Sequence, residues 1–371
     1  MKHVPAMVLA KSLLLFGLLF QLHGVFAHPP GLSSVDIVIK PEHLLVNVTF
    51  SMQDVEAFVP MDSDLDADVT DAEREAAKPL IAGFMSENIG IEIDGHQVKP
   101  ESPGHVDFDG QNNSHIKYRF VSSPQQRLAF HSHFLGLLPD GHQQFVKIIG
   151  VDGNALQEKV LNKFDNQLQL DFSLVDGKSQ AKSNSWVPAF IDFLKLGLEH
   201  IVTGYDHLLF LFALLAVTHS FWPAIKIITF FTIAHSVTLG MAVMNLVELP
   251  SDFIEPFIAA SIVYVATENL IRGDHPKGRH WLTFVFGLVH GFGFASVLQE
   301  LNISSGNTGI VLPLLSFNLG IEIGQVVMAA LVLPMIWWLN SRPKFATKFL
   351  RAISLLICFV GAYWFLERTI L

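Results

Sequence analysis

The sequence predicts an α-helical polytopic membrane bundle of about six transmembrane helices, joined to an N-terminal, extracytoplasmic, mainly-β sandwich-like domain. Composition carries one half of that reading. Of the 371 residues 50% are hydrophobic, 16% are charged and 31 are Phe, with the apolar excess after residue 185, a balance foreign to ordinary soluble domains. Patterning carries the other half, because residues 28 to about 185 alternate in short apolar–polar segments. Three parts follow: residues 1–27 as a signal peptide, 28–185 as the β-rich domain and 186–371 as the membrane domain.

The formal net charge of −10 and the lack of a Lys/Arg stripe exclude nucleic acid as a partner. Cys358 is the single cysteine, which rules out intrachain disulfides and thiolate metal sites.

The N-terminus has the form of a processing signal. Lys2 and Lys11 flank its start, Leu13 to Phe20 form an apolar core, and Val25-Phe26-Ala27 ends in a small residue. A retained anchor is the other reading, but the apolar run is short for a span. Cleavage after Ala27 exposes His28, whose amine and imidazole can both reach one metal ion.

Period-2 runs at 35–40, 44–50, 89–94, 115–120, 145–149 and 168–172, separated by Gly, Pro and Asn turns, predict antiparallel strands. Thr70-Asp-Ala-Glu73 has the form of a capping box, which starts a helix running to about Ser86. Ahead of it, Asp62, Asp64, Asp66, Asp68 and the closing Glu73 follow a calcium-loop pattern, with Ala67 where the sharp turn wants Gly. Pro60 argues against an entering helix, so a solvated acidic loop is the competing reading. His131 and His133 share one face of a strand and form a second outer metal candidate.

Beyond Ser183-Asn-Ser185 the apolar runs reach spanning length, at roughly 199–219, 222–247, 253–271, 281–300, 308–339 and 345–366. Residues 187–195 read as an amphipathic lead-in at the interface. Arg272, Lys277 and Arg279 lie between the third and fourth spans, and Arg342, Lys344, Lys348 and Arg351 between the fifth and sixth; the alternate loops carry Glu248, Asp252, Glu255 and Glu300. Basic loops face the cytoplasm, which puts the β-domain outside a bacterial-type inner membrane and agrees with the export signal.

Ionisable side chains at membrane depth usually have a task. The spans carry His200, Asp206 and His207, then Thr232, His235 and Thr238, then Glu268 and Asn269, then His290, and finally Asn318, Glu322 and Gln325. On one continuous helix His200 and His207 stand roughly 10 Å apart, seven residues at about 1.5 Å each. They cannot share an ion unless the helix opens near Gly204, so two sites, or one site completed from other helices, fit that spacing better. Asn318, Glu322 and Gln325 line one helix face, and the glycines around His290 admit a close neighbour. Interhelical hydrogen bonding is the plain reading of Thr232, Thr238 and Asn269. His200, Asp206, His207, His235, His290 and Glu322 form a richer set, and imidazole with carboxylate suits divalent nickel, cobalt or zinc.

His200-Ile-Val-Thr-Gly-Tyr-Asp-His207 is similar to the His-Pro-x-x-Gly-x-Asp-His signature of the HupE/UreJ membrane proteins. Ala234 to Leu239, His290 to Ala295 and Phe317 to Gln325 resemble the other motifs of the branch with an exported N-terminal domain. The resemblance implies a nickel or cobalt permease with His200, Asp206 and His207 as ligands. Ile201 stands where the narrower signature has Pro, so any opening of the helix falls to Gly204.

A permease for a divalent transition metal is therefore expected, with calcium in the acidic loop as a further ligand and the bilayer as the protein's surroundings. No Walker motif is present, so transport is passive or ion-coupled. Two other readings stay open. One is an intramembrane metal-dependent hydrolase using Glu268 or Glu322 as base, though no His-Glu-x-x-His helix supports it. The other is a non-transporting sensor or assembly factor, whose outer domain binds an accessory protein or a second copy.

Overall fold

The computed structural model describes residues 31–64, 66, 69–109, 113–139, 141–175, 178–181, 186–244, 246–247, 249–273, 278–294, 311–341 and 343–370. Residues 1–27, read from sequence as a signal peptide, lie outside them, as do His28 and Asp68.

The N-terminal domain is two sheets facing each other. One has six strands in the order β5(His105–Phe108), β6(Asn113–Phe120), β2(Leu44–Ser51), β1(Leu32–Ile39), β8(Gln143–Ile149), β9(Ala155–Asn162); the other has five, in the order β11(Lys178–Ala181), β10(Gln167–Val175), β7(Arg127–Ser132), β3(Ile89–Ile93), β4(His96–Val98). Pairing is antiparallel except between β1 and β8, where Val35 lies beside Val146 in parallel register. Alternation explains the six strands legible in sequence. In β1, Val35, Ile37 and Ile39 point into the shared core with Val46, Val48, Phe130 and Ile148, and residues two apart share a face. β9 escapes that logic because most of its residues are half-buried.

Two helices cover one end. α1(Met52–Phe58) starts on Ser51, whose side chain accepts from the Asp54 amide, and it ends two residues before Pro60. A helix does therefore enter the acidic loop, contrary to the expectation from Pro60, and it stops short of the proline as pre-proline sterics require. α2(Asp71–Asn88) begins with the expected capping box between Thr70 and Glu73.

The membrane domain comprises α3(Trp186–Thr203), α4(Tyr205–Leu215), α5(Phe221–Val243), α6(Ser251–Arg272), α7(Arg279–Phe292), α8(Val311–Asn340) and α9(Pro343–Ile370). Four of these helices are long and apolar enough to cross a membrane, and α3 with α4 makes a fifth if the bent pair counts as one span. The first span, read from sequence as one helix over 199–219, is instead two helices bent by 70° at Gly204, and the lead-in at 187–195 is the first part of α3. α7 occupies the expected fourth position over Arg279–Phe292.

The β-domain rests on α3. Leu32 of β1 and Phe145 of β8 join a buried cluster with Phe193, Leu196 and Ile201 of α3 and with Leu239, Phe317 and Ile321 of the neighbouring spans. The Phe145 and Phe193 rings lie 5.4 Å apart. Burying one such side chain stabilises the joint by roughly 1.5–3 kcal/mol.

Candidate functional site

Four histidines converge near the end of the helical bundle that carries the β-domain. His200 closes α3, His207 opens α4, His235 lies eight residues before the end of α5 and His290 two residues before the end of α7. Close helix contacts bring these elements together. A Cβ on Gly320 would run into the Leu194 carbonyl, so α8 presses against α3; one on Gly291 would sit 2.5 Å from the His235 carbonyl, so α7 presses against α5. Glycine at such points lets backbones approach closely.

Gly204 makes the decisive turn. With φ −74° and ψ 85° it leaves helical geometry, while its amide donates to the His200 carbonyl at 2.8 Å and its carbonyl accepts from the Leu208 amide at 3.0 Å. The turn folds His207 back onto His200, with ring centroids 4.9 Å apart. The separation of about 10 Å that a straight helix would impose is thereby removed. One nitrogen from each of His200, His207 and His235 lies within 4.8 Å of the other two. All three residues are at most 7% exposed.

Hydrogen bonding shows how some of the rings are held. His235 Nδ1 lies 3.2 Å from Asn318 Oδ1, and its Nε2 has no hydrogen-bond partner. His207 Nε2 and both nitrogens of His200 are likewise buried without hydrogen bonds. Buried polar atoms normally find partners, and a ligating histidine typically fixes its second nitrogen through an outer partner. His290 lies 5.0 Å from His207 by ring centroid; its Nε2 meets Ser261 Oγ at 2.9 Å, and it stands beside the trio rather than within it. Phe294 packs over His200 at 4.2 Å and stacks on Phe317 at 5.1 Å, forming an aromatic wall.

The carboxylates take other partners. Asp206 Oδ2 accepts from Arg368 at 2.9 Å. Glu322 Oε1 accepts from Thr229 at 2.7 Å, and Gln325 accepts from Thr232 at 3.3 Å. The face of α8 read from sequence therefore meets α5 along its length, with Asn318 the member that reaches a histidine.

In the β-domain, Asp62, Asp64 and Asp66 each offer an oxygen within 4.8 Å of the others. Glu73 is engaged elsewhere: Oε1 accepts from the Ser63 amide and hydroxyl, both at 2.7 Å, and Oε2 accepts from those of Thr70 at 3.0 and 2.9 Å. These bonds, led by the Ser63 hydroxyl, hold its carboxyl down at about 2. His131 and His133 stack with ring centroids 6.1 Å apart at the end of β7, which supplies two ligands at most.

The sequence matches the profile of the HupE / UreJ protein family over residues 176–368, more than half of the chain and the whole of the histidine site. The chain belongs to the HupE/UreJ family. No curated protein matches it. In this HupE/UreJ chain, the stretch from His200 to His207 spans the bend, so its spacing records a broken helix.

Sequence reasoning missed two features of the HupE/UreJ domain. Arg368 is 7% exposed at the side chain and bridges Asp206 and Glu255; the signal for it was an aspartate at membrane depth, which calls for a cation nearby. Glu199 directly precedes His200, and its contact with Gln143 of the β-domain joins segments 56 residues apart and left no local trace.

Proposed function

We propose that this protein is a membrane permease for a divalent transition metal, nickel or cobalt before zinc, and that His200, His207 and His235 receive the ion as transported substrate. The observation that carries the reading is the trio itself, three buried imidazoles whose nitrogens lie within 4.8 Å of one another across a broken span. Three nitrogen donors with no thiolate suit borderline divalent ions. A tetrahedral ion with bonds of about 2.0–2.1 Å sets its ligands roughly 3.4 Å apart, so small ring rotations close the site on loading. Membership of the HupE/UreJ family, associated with metal handling, supports the same conclusion. His290 lies beside the trio, and Glu322 lies further along α5 and α8 as a stage of the path. In this reading the basic loops face the cytoplasm and the β-domain faces outward.

A hydrolase would need a base at the trio. Glu268 accepts from Arg272 at 3.1 Å and Glu322 from Thr229, and this favours transport.

The test is metal titration with elemental analysis on the purified, detergent-solubilised full chain, followed by uptake of radioactive nickel or cobalt into cells. One ion per chain, lost in His200→Ala/His207→Ala, together with uptake that depends on both residues, is the expected result. Stoichiometric binding without uptake would move the protein to a sensor or assembly role, and no binding would return the histidines to helix packing.

A further inference from the structure

The β-domain and the membrane domain leave a cleft where they meet. It is a narrow, half-open recess with room for about one water molecule, and Gly31, Gly141 and Gln143 form its outer wall, with Glu199, Thr203 and His200 on the membrane side. His200 is thus both a member of the buried trio and part of the lining of a space that reaches water. Its two ring nitrogens have no hydrogen-bond partner, and Phe294 lines the cleft beside it.

The outer wall is firmly held. His142, between Gly141 and Gln143, is 2% exposed; its Nε2 meets Ser33 Oγ at 3.0 Å and its Nδ1 lies 3.4 Å from Asp54 Oδ1. The Gln143 amide donates to the Gly31 carbonyl at 3.1 Å. Across the cleft, Gln143 Nε2 donates to the exposed carboxylate of Glu199, one residue before His200.

We propose that this cleft is the access route to the histidines, with Glu199 drawing a hydrated divalent cation from water and Gln143 as the side chain that the ion displaces. The inference rests on the metal-permease reading above and adds to it a path and a task for the outer domain. A carboxylate at the lip of a low-dielectric cleft concentrates cations. The apolar walls at Leu32, Leu196 and Phe294 leave Glu199, Gln143 and Thr203 as polar footholds before His200.

The test uses the full chain carrying Cys358→Ser, purified in detergent, with cobalt(II) binding followed by its ligand-field absorption. Thr203→Cys places a thiol in the cleft, while Val202→Cys, 56% exposed on the same helix and absent from the cleft lining, is the control. Labelling Thr203→Cys with a bulky maleimide should slow cobalt binding at least tenfold. Protein loaded before labelling should release cobalt to a chelator at least tenfold more slowly, and labelled Val202→Cys should match unlabelled protein. Glu199→Gln should slow binding about threefold at low ionic strength, an effect that salt removes. Unchanged rates after labelling Thr203→Cys, with a normal final spectrum, overturn the route and leave the histidine site standing. If the unlabelled protein gives no cobalt spectrum, the metal reading fails and the route fails with it.

Discussion

Arg368, at the end of α9, donates to Asp206 at the start of α4, with Nη2 2.9 Å from Oδ2. The same guanidinium donates to the Glu255 carbonyl at 3.2 Å and lies 3.6 Å from its carboxylate, while Trp364 packs 5.7 Å away. One cation therefore ties the first turn after the bend to α6 and α9. It also engages one oxygen, Oδ2, of the carboxylate that the signature places beside the histidines.

Removing that cation leaves two carboxylates facing each other in a poorly solvated place. Arg368→Ala should destabilise the membrane domain by on the order of 3 kcal/mol, read as a lowered thermal midpoint in detergent. Adding Asp206→Asn to the same chain should recover part of the loss. A midpoint unchanged by Arg368→Ala would mean that the pair contributes nothing measurable.

The trio and its neighbour should separate in a titration. His207→Ala and His235→Ala should each weaken cobalt or nickel binding by more than tenfold, as expected for loss of one of three ligands. His290→Ala should weaken it less, because it lies outside the group of three whose nitrogens come within 4.8 Å of one another, and His219→Ala, exposed before α5, should leave it unchanged. Equal losses at all four positions would break the assignment.

Gly204 offers a steric test of the bend. A Cβ there would sit 2.7 Å from the His200 carbonyl and 3.2 Å from His207 Nδ1, so the two rings would have to move apart. Gly204→Ala should lower metal affinity about tenfold while the helical circular dichroism stays the same, since φ is negative and alanine is a good helix former. Wild-type affinity in this variant would show that the ring spacing tolerates the shift.

The Glu73 clasp supplies a pH test in the β-domain. Its folded value of about 2 lies below its ordinary 4.5, so the ionised form is favoured by folding. The stabilising contribution is present above about 4.5 and is lost as pH falls towards 2. Hydrogen exchange at the Ser63 and Thr70 amides should report it: protection at neutral pH, loss between those two values, and none at any pH in Glu73→Ala. Calcium at Asp62, Asp64 and Asp66 that recruits Glu73 must break the same bonds, so added calcium should lower protection at both amides. Protection that rises with calcium would show that Glu73 stays out of the ion's shell.

Local pattern determined a good deal from the sequence alone. Apolar run length separates the membrane domain from the β-domain, alternation marks β1, β2, β3, β6, β8 and β10, and Thr70 with Glu73 sets the start of α2, because each of these signals comes from residues a few positions apart. The condition for a shared site was also legible, since His200 and His207 can meet only through an opening at Gly204. Tertiary structure alone decided that the helix does bend there, by 70°, and that His235 completes the cluster while His290 stands beside it. It also decided that Asp206 goes to Arg368, 162 residues away, and Glu322 to Thr229, 93 residues away. Periodicity reports which side chains are buried, but the choice of partner among buried groups depends on which helices press together, and glycines such as Gly291 and Gly320 settle that at long range.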